Sequence, residues 1–174
     1  MSKTTLPETK KFLKTYGKQV VAEQKTRLRS FGKGGGNLEK SLYSEEFETS
    51  DEVGVNFYMD TAYGNFVDKG VEGYVTHKTK SGGKSIYKFK DKSGKHKPQK
   101  ESKFIQSLFK WTKKVGLPKG AAFPIRRKIW ERGIETTNFF TIPIARSEKR
   151  MIAGIEKNMG IDIENNLQTE INKN

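Results

Sequence analysis

Few side chains in this sequence are able to support catalysis or bind a metal. Its two histidines, His77 and His96, both lie in a lysine-rich stretch, and no carboxylate or cysteine is spaced to complete a metal site with them. We interpret both as exposed loop residues. The glycine-rich "GKGGGN" lacks the Gly-Lys-Ser/Thr ending of a phosphate-binding loop, and no G-x-S-x-G or H-E-x-x-H motif occurs. The motifs searched therefore give no support for catalysis, and we predict no cofactor.

One acidic cluster leaves a metal-dependent alternative open. Its members are Glu45, Glu46, Glu48, Asp51 and Glu52. Carboxylates at this density bind divalent cations, as in a metal-dependent nuclease. On an alternating strand, however, acidic side chains usually face water. We favour the second interpretation and predict no metal site.

Lysine dominates the stretch from residue 78 to residue 100. Its nine lysines are Lys78, Lys80, Lys84, Lys88, Lys90, Lys92, Lys95, Lys97 and Lys100. With Tyr87 and Phe89 between them, these lysines are able to bind along a nucleic-acid phosphate backbone while the rings stack on bases or pack on a neighbouring protein. The alternative is a solvated loop. No zinc-finger, basic-zipper or RNA-recognition signature accompanies it. Any contact with nucleic acid is therefore predicted to be nonspecific.

Composition points to a charged partner and to self-assembly. Thirty-four Lys and Arg against twenty Asp and Glu give a net charge of +14, which attracts phosphate backbones or acidic surfaces. Apolar residues make up 33% and charged residues 31%, so the core is either small or completed by other copies. The length predicts a single domain over residues 1–174. No apolar run approaches the ~18 residues of a membrane span, so no membrane partner is expected.

The first half of the chain predicts a long helix followed by a strand pair. Thr5 and Glu8 form a capping-box pattern, Pro7 suits a first helical turn, and Gly32 predicts the end of the helix. Apolar and polar residues then alternate over positions 52–59, which indicates a half-buried strand. Tyr43 and Phe47 lie before a turn at Thr49-Ser50-Asp51, which favours an antiparallel partner.

The second half predicts three helices after an exposed insertion. Residues 75–100 are expected to form a basic loop or hairpin. Helical spacing from Phe104 to Val115 stops at Gly116, and a short helix is expected between Pro124 and Gly133. A long C-terminal helix starts near Pro143, with residues 168–174 as a frayed end. The predicted fold class is α+β: a small antiparallel sheet packed against a long N-terminal helix and C-terminal helices, with a Lys-rich exposed excursion.

Several short motifs follow one another in a set order along the chain. After the predicted strand comes a segment with Tyr63, Val67, Asp68 and Gly70. A later segment combines a short basic helix, a glycine-isoleucine step and a Phe-Phe pair, with Phe123, Arg126, Arg127, Arg132, Gly133, Ile134, Phe139 and Phe140. The order of these motifs, from about Tyr43 to Ile171, resembles the tail-completion or neck proteins of tailed bacteriophages, which join head and tail.

The resemblance implies a non-catalytic structural protein of the virion, arranged as a ring of six or twelve copies around the DNA channel. Its partners would be copies of itself, adjacent portal or connector and tail proteins, and packaged double-stranded DNA bound nonspecifically. The chain would be made in the host cytoplasm and incorporated in the neck.

Aromatic rings and arginines dominate interface hot spots, so contacts between subunits are expected in the motif regions. The predicted interface residues are Tyr63, Phe66, Val67, Arg126, Arg127, Trp130, Phe139 and Phe140. An alternative for Phe139 and Phe140 is that they anchor the last helix to the core. Two other functions stay open: a standalone nonspecific nucleic-acid-binding protein that uses residues 78–100, and a small phage-encoded enzyme.

Overall fold

The computed structural model describes residues 6–49, 52–89 and 103–172, with side chains from residue 105 onward in the last range. In chain order the elements are α1 (Pro7–Ser30), α2 (Asn37–Lys40), β1 (Leu42–Glu48), β2 (Val53–Met59), α3 (Gly64–Lys69), β3 (Val71–Glu72), α4 (Lys103–Lys114), a 3-10 turn (Lys119–Ala121), α5 (Ala122–Arg132), β4 (Gly133–Ile134) and α6 (Thr141–Ile171). Long helices combined with antiparallel strands confirm the predicted α+β class.

Where the sequence predicts one domain, the chain divides into two compact units. Unit 1 comprises Met1–Gly64 and Asn138–Asn174, and unit 2 comprises Asn65–Thr137. Unit 1 therefore joins the two ends of the chain, while unit 2 is one continuous segment.

Unit 1 is layered, with α1 between the β1–β2 hairpin and α6. The hairpin is antiparallel, with Leu42 opposite Met59 and Glu48 opposite Val53, which confirms the predicted strand pair. One face of β2 meets α1, because the Phe57 ring lies edge-on to Tyr16 at 6.2 Å. The same side chain also reaches α6, because the Tyr16 hydroxyl lies 2.6 Å from the Ser147 hydroxyl. Tyr16 thus ties the three layers together.

The N-terminus of α1 is capped from the far end of the sequence. The amides of Glu8 and Thr9 donate to the Asp162 carboxylate at 3.0 and 2.9 Å, and the Thr9 hydroxyl donates to it at 2.7 Å. Asp162 is 1% exposed. Burial by itself would raise the pKa of Asp162, but these hydrogen bonds lower it below its usual value.

This cap differs from the one predicted from the sequence. The capping box would have paired the Glu8 amide with the side chain of Thr5, which lies outside the described residues. Instead the Glu8 amide is taken by Asp162, and the residue before the helix is Leu6, which forms no side-chain cap. Pro7 does occupy the first turn, as predicted. A cap contributed by a residue 153 positions from Thr9 leaves no local sequence pattern.

Helices α1 and α6 approach closely along their shared length. A Cβ at Gly154 would overlap the ring of Phe12, so only glycine allows this packing. Gly154 therefore serves as a contact point between α1 and α6. Helix α6 is helical as far as Ile171, which includes most of the segment expected to fray.

Unit 2 is built from α3, α4, α5 and the two-stranded β3–β4 sheet. Val71 pairs with Ile134 and Glu72 with Gly133. Gly133 ends α5 with a φ of 85°, and a Cβ there would lie 2.6 Å from the Gly73 amide nitrogen, so this position requires glycine. The predicted ends of the central helices are confirmed, with Gly116 after α4 and Gly133 after α5.

Candidate functional site

The described part of the lysine-rich segment is fixed to the β3 strand rather than projecting freely. The Glu72 amide donates to the Tyr87 carbonyl at 2.8 Å, and the Phe89 amide donates to the Glu72 carbonyl at 3.0 Å. The Ser85 hydroxyl donates to the Gly70 carbonyl at 2.8 Å. Residues 85–89 therefore extend the small sheet of unit 2. The rest of the predicted insertion, from Lys90 onward, lies outside the described residues.

A buried carboxylate organises this segment. Glu72 is 3% exposed, accepts the Ser85 amide at 2.9 Å and lies 3.4 Å from the Lys88 ammonium. The Ser85 hydrogen bond lowers the pKa of Glu72 below its usual value, against the effect of burial, and Lys88 and Lys84 act in the same direction. The charged form of Glu72 therefore holds the basic segment in place.

The lysines predicted to meet DNA or acidic partners are placed only in part. Lys78, Lys80, Lys84 and Lys88 are exposed. Lys84 donates to the His77 carbonyl at 3.1 Å, and Lys88 is the ion-pair partner of Glu72. Among the described residues, no such contact is made by the exposed ammonium groups of Lys78 and Lys80. The remaining predicted lysines are Lys90, Lys92, Lys95, Lys97 and Lys100, all outside the described residues.

The residues predicted at subunit interfaces fall into different environments. Tyr63, Phe66 and Arg127 are exposed, Val67, Arg126, Trp130 and Phe140 are half-buried, and Phe139 is fully buried. Burial of Phe139 fits the alternative role, in which this ring anchors the start of α6 within unit 1. The interface role of the other seven residues stays a prediction.

Several of the predicted interface residues already have partners within their own unit. The Trp130 ring stacks on Tyr74 at 4.4 Å, and the Trp130 carbonyl accepts the Tyr74 amide at 2.9 Å. Phe66 lies edge-on to Tyr87 at 4.6 Å. Arg127 pairs with Glu131 at 2.8 Å, one turn along α5. These contacts leave part of each ring exposed, so the aromatic residues also form surface features.

Exposed apolar side chains are more prominent in the structure than the sequence suggested. In the described part of unit 2 the buried apolar residues are Val71, Ile105 and Ala122. The exposed large apolar residues of the same unit are Phe66, Val75, Ile86, Trp111, Val115, Leu117 and Phe123. Exposed apolar surface of this extent is typical of interaction sites.

A groove on unit 2 combines apolar and positive surface. It has a volume of about 400 Å³ and is lined by Phe109, Lys110, Thr112, Lys113, Leu117 and Lys119. We call it the α4–α5 groove. The Phe123 ring lies edge-on to Phe109 at 5.7 Å, and the Lys119 ammonium lies 4.9 Å from the centre of the Phe109 ring. The groove can therefore accept a ligand that is apolar and negatively charged.

The apolar spacing of α4 predicted the helix but did not reveal this groove, because buried and exposed stripes share that spacing. Charge gives the available signal: residues 103–130 contain eight Lys and Arg and no Asp or Glu.

The described residues were searched for metal-binding clusters and for membrane-spanning helices. Within residues 6–49, 52–89 and 103–172, no three His, Cys, Asp or Glu side chains are grouped so as to hold a metal ion. None of the helices in the same ranges is long and apolar enough to cross a membrane.

Comparison with known proteins adds no relative. No family model matches the sequence, and neither a curated protein nor a solved structure matches the chain.

Proposed function

We propose that this chain is a structural protein of a tailed-bacteriophage neck, where copies form a ring around the DNA channel and join portal-side to tail-side rings. The motif order described above suggests this family. The observation that carries the proposal is the imbalance in unit 2, where seven large apolar side chains are exposed and three apolar residues are buried among those described. Contacts with further copies would cover this surface.

The positive charge fits the same function. With a net charge of +14, a ring of such subunits would bring a strong positive field close to the DNA that passes through it. Lys78 and Lys80 are exposed and are available for phosphate contacts. Contacts of this kind screen the DNA without selecting a sequence. They suit a channel through which the whole genome must pass.

Electron microscopy of the full-length protein tests the ring directly. Negative-stain images would be collected over a range of protein concentrations, with and without short duplex DNA as a template, beside mass photometry of the same samples. We expect closed rings with a central opening and a defined copy number. Particles that stay monomeric in every sample would contradict the proposal. Mass spectrometry of purified virions would then test incorporation, because a neck protein must be present in the particle.

DNA binding separates this function from a standalone nucleic-acid-binding protein. The neck function predicts weak binding to free duplex DNA, whereas the standalone protein would bind tightly as a monomer. In fluorescence anisotropy, each lost phosphate contact lowers the log–log salt slope by about 0.9. The test variant replaces Lys78, Lys80 and Lys84 together by Gln. If the wild type binds duplex DNA tightly as a monomer and this variant does not, the standalone protein is favoured.

A further inference from the structure

The far end of α6 is exposed on nearly all sides, whereas earlier parts of the helix alternate between exposed and covered residues. Asp162 is the last α6 residue fixed to the start of α1, through Glu8 and Thr9. Helix α6 then continues for nine residues to Ile171, which at 1.5 Å per residue adds about 13 Å. Every residue from 163 to 171 is exposed except the half-buried Asn166. We call residues 163–172 the α6 tip.

The tip has an apolar stripe and a negative charge. Ile163, Leu167 and Ile171 recur every four residues and are 48%, 60% and 70% exposed. The tip contains Glu164 and Glu170 and no Lys or Arg, within a chain whose net charge is +14. An apolar stripe of this kind beside acidic residues is typical of a helix that docks into a groove.

The α4–α5 groove has the complementary character. Three lysines line it, Lys110, Lys113 and Lys119, and its apolar surface comes from Phe109 and Leu117. The stems of the lysines add further apolar area around the charged ends. Residues 103–130 contain no acidic side chain that would repel the tip. Charge and apolar character therefore match between tip and groove.

We propose that the α6 tip of one copy docks in the α4–α5 groove of a second copy of this chain. The two surfaces differ, so each copy offers one tip and one groove, and the contact is head to tail. Repeated contacts of this kind close into a ring when the rotation between copies allows it. The inference rests on the proposed ring function and names the interface that would build the ring.

A second acidic surface makes the choice of the tip testable. In the β1–β2 hairpin, Glu45 and Glu46 are exposed. Among its described residues, Tyr43 is the one large apolar side chain that is exposed. Charge by itself would allow the hairpin to meet the groove. Charge combined with an apolar stripe selects the tip.

Paired charge reversals test the interface. The tip variant is Glu164→Lys with Glu170→Lys, the groove variant is Lys113→Glu with Lys119→Glu, and the control is Glu45→Lys with Glu46→Lys. Mass photometry and sedimentation velocity would follow assembly with and without duplex DNA. We expect the tip and groove variants each to weaken association by roughly tenfold or more, while the control assembles like the wild type.

Mixing the two defective variants gives the sharper result. In an equimolar mixture, a lysine-bearing tip meets an acidic groove and an acidic tip meets a lysine-bearing groove, so both contacts are restored. We expect assemblies in which the two variants alternate, seen by native mass spectrometry as equal numbers of each. Circular dichroism of each variant would establish that the fold is retained, which we expect because all six substituted residues are exposed.

The outcomes separate this inference from the proposed function. If the wild type forms rings and the tip and groove variants do too, or if the hairpin control is the one that loses assembly, the docking inference is wrong and the ring function stands. A mixture that stays monomeric also overturns the docking. If the wild type is monomeric under every condition, the ring function fails and the docking fails with it.

Discussion

The two units of this chain bury their apolar residues to very different degrees. Among the described residues, unit 1 buries eight apolar side chains: Leu13, Tyr16, Val20, Val21, Leu28, Leu38, Leu42 and Phe139. Unit 2 buries three, although each unit exposes seven large apolar side chains. Unit 1 has a core formed between its layers, whereas unit 2 places much of its apolar surface where another molecule can cover it. The difference suggests that unit 1 has the more complete core, while the proposed docking uses one surface from each unit.

The largest expected effect is on the core of unit 1. Phe139→Ala removes a fully buried ring and should lower the free energy of unfolding by about 3–5 kcal/mol. The matched control is Phe123→Ala in unit 2, where the ring is 47% exposed, and its cost should be about 1 kcal/mol or less. Urea unfolding followed by circular dichroism measures both. Equal losses would show that the two units do not differ as described.

The cap between the chain ends gives the next largest effect. Asp162→Asn replaces the buried carboxylate that accepts three hydrogen bonds by a neutral and weaker acceptor. This change should lower the free energy of unfolding by about 1–3 kcal/mol. Urea unfolding at neutral pH measures this loss. A matched exposed substitution, Glu164→Gln in the same helix, should change stability by no more than about 0.5 kcal/mol.

The same carboxylate predicts a pH dependence. The pKa of Asp162 is lower in the folded state than in the unfolded chain, so the unfolded state binds more protons in the acidic range. The stabilisation is therefore complete above the ordinary Asp pKa of about 3.9 and is lost as the pH falls through the lower, folded pKa. The stability difference between wild type and Asp162→Asn should shrink over that range. A difference that is the same at every pH would contradict the cap.

In unit 2, Glu72→Gln should release the basic segment without unfolding the scaffold. The neutral side chain loses the ion pair with Lys88 and weakens the bond from the Ser85 amide. Limited trypsin digestion should cut faster after Lys84 and Lys88. Glu131→Gln, which removes only the exposed pair with Arg127, is the control. Unchanged cleavage in the Glu72 variant would mean that the backbone bonds to Tyr87 and Phe89 hold the segment without the carboxylate.

The smallest expected effect on stability is at Arg127. Arg127 forms an exposed ion pair with Glu131, one helical turn along α5. Such a pair contributes about 0.3–0.5 kcal/mol to the free energy of unfolding, so Arg127→Ala should be nearly neutral in urea unfolding. The same variant tests the predicted interface. Loss of assembly with unchanged stability would support a contact between subunits at Arg127, and unchanged assembly would remove Arg127 from that interface.

The sequence predicted most elements of the fold but not their partnerships. Helices α1, α4, α5 and α6 and the β1–β2 hairpin follow from local spacing, proline and glycine, because these signals act within a few residues. The Asp162 cap and the contact of Gly154 with Phe12 join residues more than 140 positions apart, so no local pattern encodes them.

The candidate surfaces were predicted less well than the fold. Apolar spacing predicted the helices α4 and α6 that carry these surfaces, yet the same spacing is found in buried and exposed stripes. The charged residues nearby give a further signal. Those of residues 103–130 are all basic, and those of the α6 tip are both acidic. Exposure of both stripes became visible only in the structure.

Hydrogen exchange measured at several protein concentrations tests most directly whether unit 2 completes its packing against other copies. Peptides from α4 and α5 should become more protected as the concentration rises, while peptides from the centre of α1, already covered on both sides, should not change. Equal protection of α4 and α5 at every concentration, in a chain that remains monomeric, would contradict the account.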